Sequence, residues 1–396
     1  MRPPFCICQG QGKCVLQWML IGGILLFMIM IIFALALPIV QVPTISPPAA
    51  VTTVSPNERS ARRQDMLVMV PISGRCGNDP LDISRVQRPM ADLVWSTSGN
   101  ADQAVQLRFR IDENGRPLGI TREPVGYGMM ADLTPSLAAS RFAPNAMREG
   151  CTIVYQPKRS SIPDADIHDL IGYAIFAKIR PTKELFERIA PAGSDCNTQR
   201  PAFLLRASPD FERIPATTGR SDWSNVQFDI DDAGKPVRLR IYRTTGNVAL
   251  DKASLNAMAQ SRFIKGARQG CLYPYWLRSG TLAAPESKEI AAYRPEDSDC
   301  PQTVEWKSQP TLVYPENFRR RYIEGWAVIA FDLAPWGAVG NAKVVVAEPA
   351  AEFGEAGQRI VLGSTAAVSK QGYINCGVKV RYAMQKQDRS AQVNFD

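Results

Sequence analysis

The nine cysteines carry the most chemistry in this chain, and their spacing sorts them into two sets. Cys6, Cys8 and Cys14 crowd the N-terminus. The other six fall into pairs: Cys76 and Cys151 are 75 residues apart, Cys196 and Cys271 are 75 apart, and Cys300 and Cys376 are 76 apart. A separation reproduced three times to within one residue marks an internal repeat. In an oxidising compartment the six read as three disulfides, one inside each repeat; the other reading is buried free thiols. With one histidine, His168, and no C-x-x-C, a metal site finds no support. For Cys6, Cys8 and Cys14, incidental thiols are favoured over lipidation or metal binding.

Other catalytic constellations are missing. The chain has no G-x-S-x-G, H-E-x-x-H, G-x-x-x-x-G-K-[ST] or G-x-G-x-x-G. Asp112-Glu113 and Asp231-Asp232 sit beside glycines that make hairpin turns, where solvated turn residues explain them. His168, within DADIHDLIG, reads as a surface or loop histidine. Neither an enzyme nor a cofactor is expected.

The elements that position the paired cysteines recur. Alternation through Val105, Leu107, Phe109 and Ile111 stops at Glu113-Asn114-Gly115, which predicts a strand and a hairpin turn; Val226, Phe228 and Ile230 before Gly234 repeat it. A helix should follow, capped by Thr134 with Pro135 in its first turn and striped by Leu133, Leu137, Ala138 and Phe142. In copy two Asp251 should cap, with Leu255, Met258, Ala259 and Phe263 as the stripe. Each helix ends in Ser-Arg-Phe, an element that copy three lacks, and the second cysteine opens a last strand. The fold class expected is α+β, with antiparallel sheets bearing helices on one face.

The 396 residues are 45% hydrophobic and 21% charged, which argues against wholesale disorder and allows two to four domains. The net charge of +8 is spread along the chain, so nucleic acid is not the expected partner. Between Lys13 and Glu58 no Asp, Glu, Lys or Arg occurs, and Val15–Val40 is apolar apart from Gln17. About 20 such residues span a bilayer, so the run reads as a retained anchor rather than a cleaved signal, with Trp18 at the interface. Arg2 and Lys13 ahead of it would keep the N-terminus in the cytoplasm. The expected organisation is a tail (1–14), a membrane helix (15–40), a proline-containing linker (41–65) and repeat one (66–158). A connecting segment (159–194), repeat two (195–279), a second linker (280–298) and repeat three (299–396) complete it.

From Tyr314 to Pro349 the chain resembles the C-terminal domain of TonB-type energy transducers. The matching marks are Tyr314-Pro315, Glu324-Gly325, the strand Val328-Ile329-Ala330-Phe331, the turn at Gly337 and the strand Val344-Val345-Val346. The family's later Arg-Phe-x-Pro and glycine are best matched by Arg141-Phe142-Ala143-Pro144 and Gly150. The resemblance implies three TonB C-terminal-like domains behind an inner-membrane anchor, with the bulk of the chain periplasmic. It also implies a non-catalytic role, coupling an ExbB/ExbD-like motor to TonB-dependent outer-membrane transporters. The alternative is a membrane-anchored binding or scaffold protein without transduction. A homodimer is among the assemblies allowed. Strand addition to a sheet edge is the implied grip. The expected edge is Val378, Lys379, Val380, Arg381 and Tyr382, with Tyr314 and Pro315 as further contacts. Three features depart from the family: no membrane histidine, a short proline spacer, and three domains in place of one. Repeats one and two acting as folded beads in place of the spacer would reconcile the last two. Trp336, in the third turn, is either an exposed contact or a cover for the sheet.

Overall fold

In the computed structural model the residues described are 63–95, 103–123, 132–144, 147–177, 181–196, 201–384 and 391–395. The tail, the apolar run at 15–40 and almost all of the linker to residue 65 lie outside them.

Alternating apolar residues make strands here far more often than they make helices. Repeat one contains β2 (Val105–Ile111), β3 (Pro117–Glu123) and β4 (Arg148–Ser161), with the helix α1 (Leu133–Ala138) between the last two. Repeat two contains β5 (Asp222–Ile230), β6 (Pro236–Thr244), the helix α4 (Val248–Gln260) and β7 (Arg268–Leu277). Repeat three contains β8 (Gly325–Leu333), β9 (Val339–Glu348), the helix α6 (Ala351–Leu362) and β10 (Tyr373–Met384). Within each repeat these strands pair antiparallel, and the orders β4-β2-β3, β7-β5-β6 and β10-β8-β9 are the same. Disulfides join Cys76–Cys151, Cys196–Cys271 and Cys300–Cys376, one per repeat.

The architecture as expected, α+β behind a single-pass inner-membrane helix, needs correction. The described chain is mostly antiparallel sheet with few helices, the longest being α4 at 13 residues. None of the described helices is long and apolar enough to cross a membrane. Thirteen residues rise about 20 Å, short of a hydrocarbon core about 30 Å thick. The membrane and inner-membrane expectations rested on residues 15–40 alone, and the described structure lends them no support.

The helix caps also differ from expectation. Asp132, not Thr134, precedes α1, and its carboxylate makes no cap bond because it is engaged elsewhere. Asn247, not Asp251, caps α4 by accepting from the amide of Leu250 at 3.1 Å; Asp251 accepts instead from Thr244 Oγ1 at 2.7 Å. Ala257 rather than Ala259 faces the core, alongside Met258 and Phe263.

One contact recurs where the turn meets the end of the helix. The amide of Phe142 donates to the carbonyl of Gly115, that of Phe263 to Gly234 and that of Ala366 to Gly337, each at 2.8 Å. A side chain on any of these glycines would meet the facing carbonyl oxygen at 2.3, 2.2 and 2.1 Å respectively. Ser140, Ser261 and Ser364 precede these contacts, and each hydroxyl donates back four residues to a helix carbonyl. Ser364-Thr365-Ala366 therefore occupies the place of Ser-Arg-Phe in repeat three. Where Phe109 stacks on Phe142 and Phe228 on Phe263, Phe331 meets Trp306 instead, at 5.6 Å.

The repeats are not separate beads. Ser55–Asp396 forms one compact unit, and one apolar core runs through repeats one and three, holding Leu107, Ile120 and Leu137 together with Phe318, Ile329 and Phe353. Ile120 bridges to Ala350, its amide donating to Pro349 at 2.9 Å, and Arg110 pairs with buried Glu348 at 2.7 Å. Repeat two keeps its own core around Val226, Phe228, Met258 and Phe263. The segment between repeats one and two forms α2 (Ile167–Phe176) and α3 (Lys183–Ile189), whose Leu170, Ile171, Leu185 and Ile189 pack with Trp223 of β5.

Candidate functional site

The strand expected to form the binding edge is an inner strand. β10 pairs with β8 on one side and with a further strand, β11 (Ala391–Phe395), on the other; Val380, Arg381 and Tyr382 lie opposite Phe395, Asn394 and Val393. The expectation that Val378–Tyr382 is the sheet's outer edge is corrected accordingly. Val378, Val380 and Tyr382 are buried. Lys379 is buried too, its Nζ donating to the carbonyl of Lys288 at 2.8 Å and to Ser287 Oγ at 3.2 Å. Arg381 is exposed. Tyr314 is buried, donates to the carbonyl of Ile323 at 2.7 Å and packs edge-on against Phe353 and Tyr382, while Pro315 precedes the short helix α5 (Glu316–Arg320). The structure therefore brings Tyr314 and Tyr382 together inside the core. Trp336 is 70% exposed at its turn, which fits the contact reading over the cover reading.

The three equivalent last strands differ in what flanks them. β4 is covered by β1 (Gln64–Cys76), which places Cys76 opposite Cys151, and β10 is covered by β11. β7 pairs with β5 alone among the described strands. The cause is local sequence. The residues before Cys76 hold a continuous apolar run, Met66–Met69, that is buried within a strand, whereas before Cys196 Thr182 caps α3 and Leu185 and Ile189 make a helical stripe. Only the start of β7 is closed off: Gln269 exchanges bonds with Asp195, whose amide donates to it at 3.2 Å and whose carboxylate accepts from it at 2.8 Å. Pro274, exposed in mid-strand, suits an outer strand because it has no amide to leave unpaired.

The end of β7 opens on a cleft of about 1170 Å³ where the three repeats meet. Four arginines of its wall bind carboxylates, Arg85 through exposed Asp82 at 3.1 Å. Arg321, 4% exposed, donates through Nε to Asp132 at 2.6 Å, and also to the carbonyls of Gly219 and Arg88. Arg88 pairs with Asp169 at 2.6 Å, and Arg220 with buried Asp222 at 3.0 Å. His168 is not a loop residue. It lies in α2 with its ring 4.7 Å from that of Trp223, and burial pushes its imidazole below the usual histidine range. Despite Arg88, burial holds the Asp169 carboxyl above its ordinary value. Among the described residues no cluster of three or more His, Cys, Asp or Glu is arranged to hold a metal ion.

Neither the cleft nor the β7 edge was foreseen from the sequence. The one available signal was Pro274, in a strand whose counterparts carry Val154 and Lys379 at that position. No protein-family model matches the chain, and no curated protein matches its sequence.

Proposed function

We propose that this is a non-catalytic binding protein that takes an extended segment of a partner protein by strand addition to β7. The observation that carries the reading is that, of three equivalent strands, β7 alone has no strand on its outer side among those described. An unpaired strand edge offers a row of backbone donors and acceptors, and such edges are either protected or used. Sister strands β4 and β10 are protected by β1 and β11. Pro274 interrupts the donor row, so a bound segment is held on either side of it, and pairing of two β7 edges into an unbroken ladder is disfavoured.

The resemblance to TonB C-terminal domains supports the same kind of grip, moved here from the last repeat to the middle one. The energy-transducer reading, with an ExbB/ExbD-like motor and outer-membrane transporters as partners, draws on that resemblance alone. The core shared by repeats one and three favours a static binder over a chain of extensible beads.

The test is photocrosslinking in the native host from positions 274 and 276, with position 205, exposed on the short strand Phe203–Leu205, as the control. Adducts from β7 that map to one short contiguous stretch of one partner support the reading. Equal labelling from position 205, or none from β7, overturns it.

A further inference from the structure

The cleft between the repeats has features that core packing does not require. We propose that it is a binding site for a small organic anion with a planar, apolar body, such as an aryl carboxylate. It shares only Trp276 with the strand-addition reading, needs no open strand edge, and stands without it.

Charge sets the sign of the ligand. Of the three carboxylates that line the cleft, Asp132 and Asp169 are matched by Arg321 and Arg88, and Asp92 accepts from the amide of Leu93 at 2.9 Å. Two further arginines line the cleft without a carboxylate among the described residues. Arg278, just past the end of β7, is exposed and has no partner there, and Arg320 donates only to the carbonyl of Phe176, at 3.1 Å. Guanidinium groups with open donors bind carboxylates through paired hydrogen bonds. Burial keeps His168 neutral at neutral pH, and among the described residues its ring has no hydrogen-bond partner, so it can orient a polar group without adding charge.

The aromatic lining sets the shape. Trp95 and Trp276 both line the cleft and remain 48% and 45% exposed, with Phe176 edge-on to Trp276 at 6.1 Å. Leaving two indoles half in water gains nothing for the fold, whereas a planar ligand would cover them. The volume, about 1170 Å³, admits a molecule of ordinary metabolite or drug size.

The experiment is calorimetric titration of the full, disulfide-intact chain with naphthalene-2-carboxylate and with its neutral counterpart 2-naphthylmethanol. The carboxylate should bind saturably at one site, roughly tenfold or more tighter than the alcohol, as charge-assisted hydrogen bonds imply. Arg278→Gln should weaken it by a similar factor and Trp276→Ala should weaken both compounds, while Arg213→Gln, outside the cleft, should leave binding unchanged. Thermal unfolding of each variant separates lost binding from lost structure; Arg278→Gln should not alter it, because Arg278 is exposed and has no polar partner among the described residues. No saturable binding at millimolar carboxylate overturns the proposal. So does equal affinity for the alcohol, or an Arg278→Gln protein binding within twofold of the parent.

Discussion

Arg321 and Asp132 are 189 residues apart in sequence, yet Arg321 Nε donates to Asp132 Oδ1 at 2.6 Å, and the arginine is almost wholly buried. The same guanidinium also donates to the carbonyls of Gly219 and Arg88, so one side chain of repeat three reaches repeat one and the turn just ahead of β5 in repeat two.

Removing that arginine should be costly. Arg321→Ala strands a largely buried carboxylate and two carbonyls, and breaking such a pair from one side costs about 3–5 kcal/mol. The double variant Arg321→Met with Asp132→Leu should lose clearly less, because no charge is left alone. Urea unfolding of the three proteins checks both statements; equal losses for single and double variants would deny the pair its role.

The turn glycines separate two effects. Gly115, Gly234, Gly337 and Gly246 all have positive φ, but an added methyl has nothing within 4 Å only at Gly246. Gly246→Ala should therefore cost about 1–2 kcal/mol, the backbone penalty alone. Alanine at each of the other three should cost more, because the new methyl is driven into a carbonyl oxygen. A stability series of four single variants reads the difference.

The disulfides should each contribute strongly. Closing a loop of this length restrains the unfolded chain by about 4 kcal/mol per bridge. Non-reduced peptide mapping should return Cys76–Cys151, Cys196–Cys271 and Cys300–Cys376 and no bridge between repeats. Replacing Cys196 and Cys271 by alanine should loosen repeat two first, since it has a core of its own, and hydrogen exchange in β5 would show it.

The single histidine gives a clean pH readout. Burial lowers the folded-state pKa of His168 beneath the ordinary 6.5, an effect that outweighs the opposing field of Asp169; Arg88 and Arg243 push further down and Asp166 up. A depressed pKa means that the unfolded chain binds the proton first. The stabilisation is complete above pH 6.5 and is lost as pH falls through the folded value. Asp169, with its pKa raised, acts in the opposite sense at lower pH, losing stability as pH rises from about its ordinary 3.8. Proton NMR should find the imidazole titrating below 6.5, and His168→Gln should flatten the fall in urea midpoint between pH 6.5 and 5.

Much of the fold could be read from periodicity, because strands, turns and cysteines repeat locally. The period-two runs at Val105–Ile111 and Val226–Ile230 and the turns at Gly115 and Gly234 are where alternation places them. Repeat three hid its Ser-Arg-Phe element because Ala366 surrendered the aromatic position to Trp306, which arrives from sixty residues earlier in the chain. The caps of α1 and α4 are not legible locally, because Asp132 is claimed by a distant arginine and Asp251 by Thr244. The edge was misplaced because β11 is only five residues long and nothing in β10 itself shows that it will be covered. The cleft has no local signature at all: Arg278, Trp95 and His168 come from three separate segments that only the packing of the repeats brings together.

The apolar core common to repeats one and three has a consequence for synthesis. A ribosome finishes the first repeat well before it delivers Phe318, Ile329 and Phe353, with the whole of repeat two made in between, so the greasy flank around Ile120 waits for its cover while repeat two folds in the interval. A premature stop ahead of residue 316 would release not two sound modules and a missing third, but one sound module beside one with its flank bare, a substrate for chaperones and proteases rather than a working fragment.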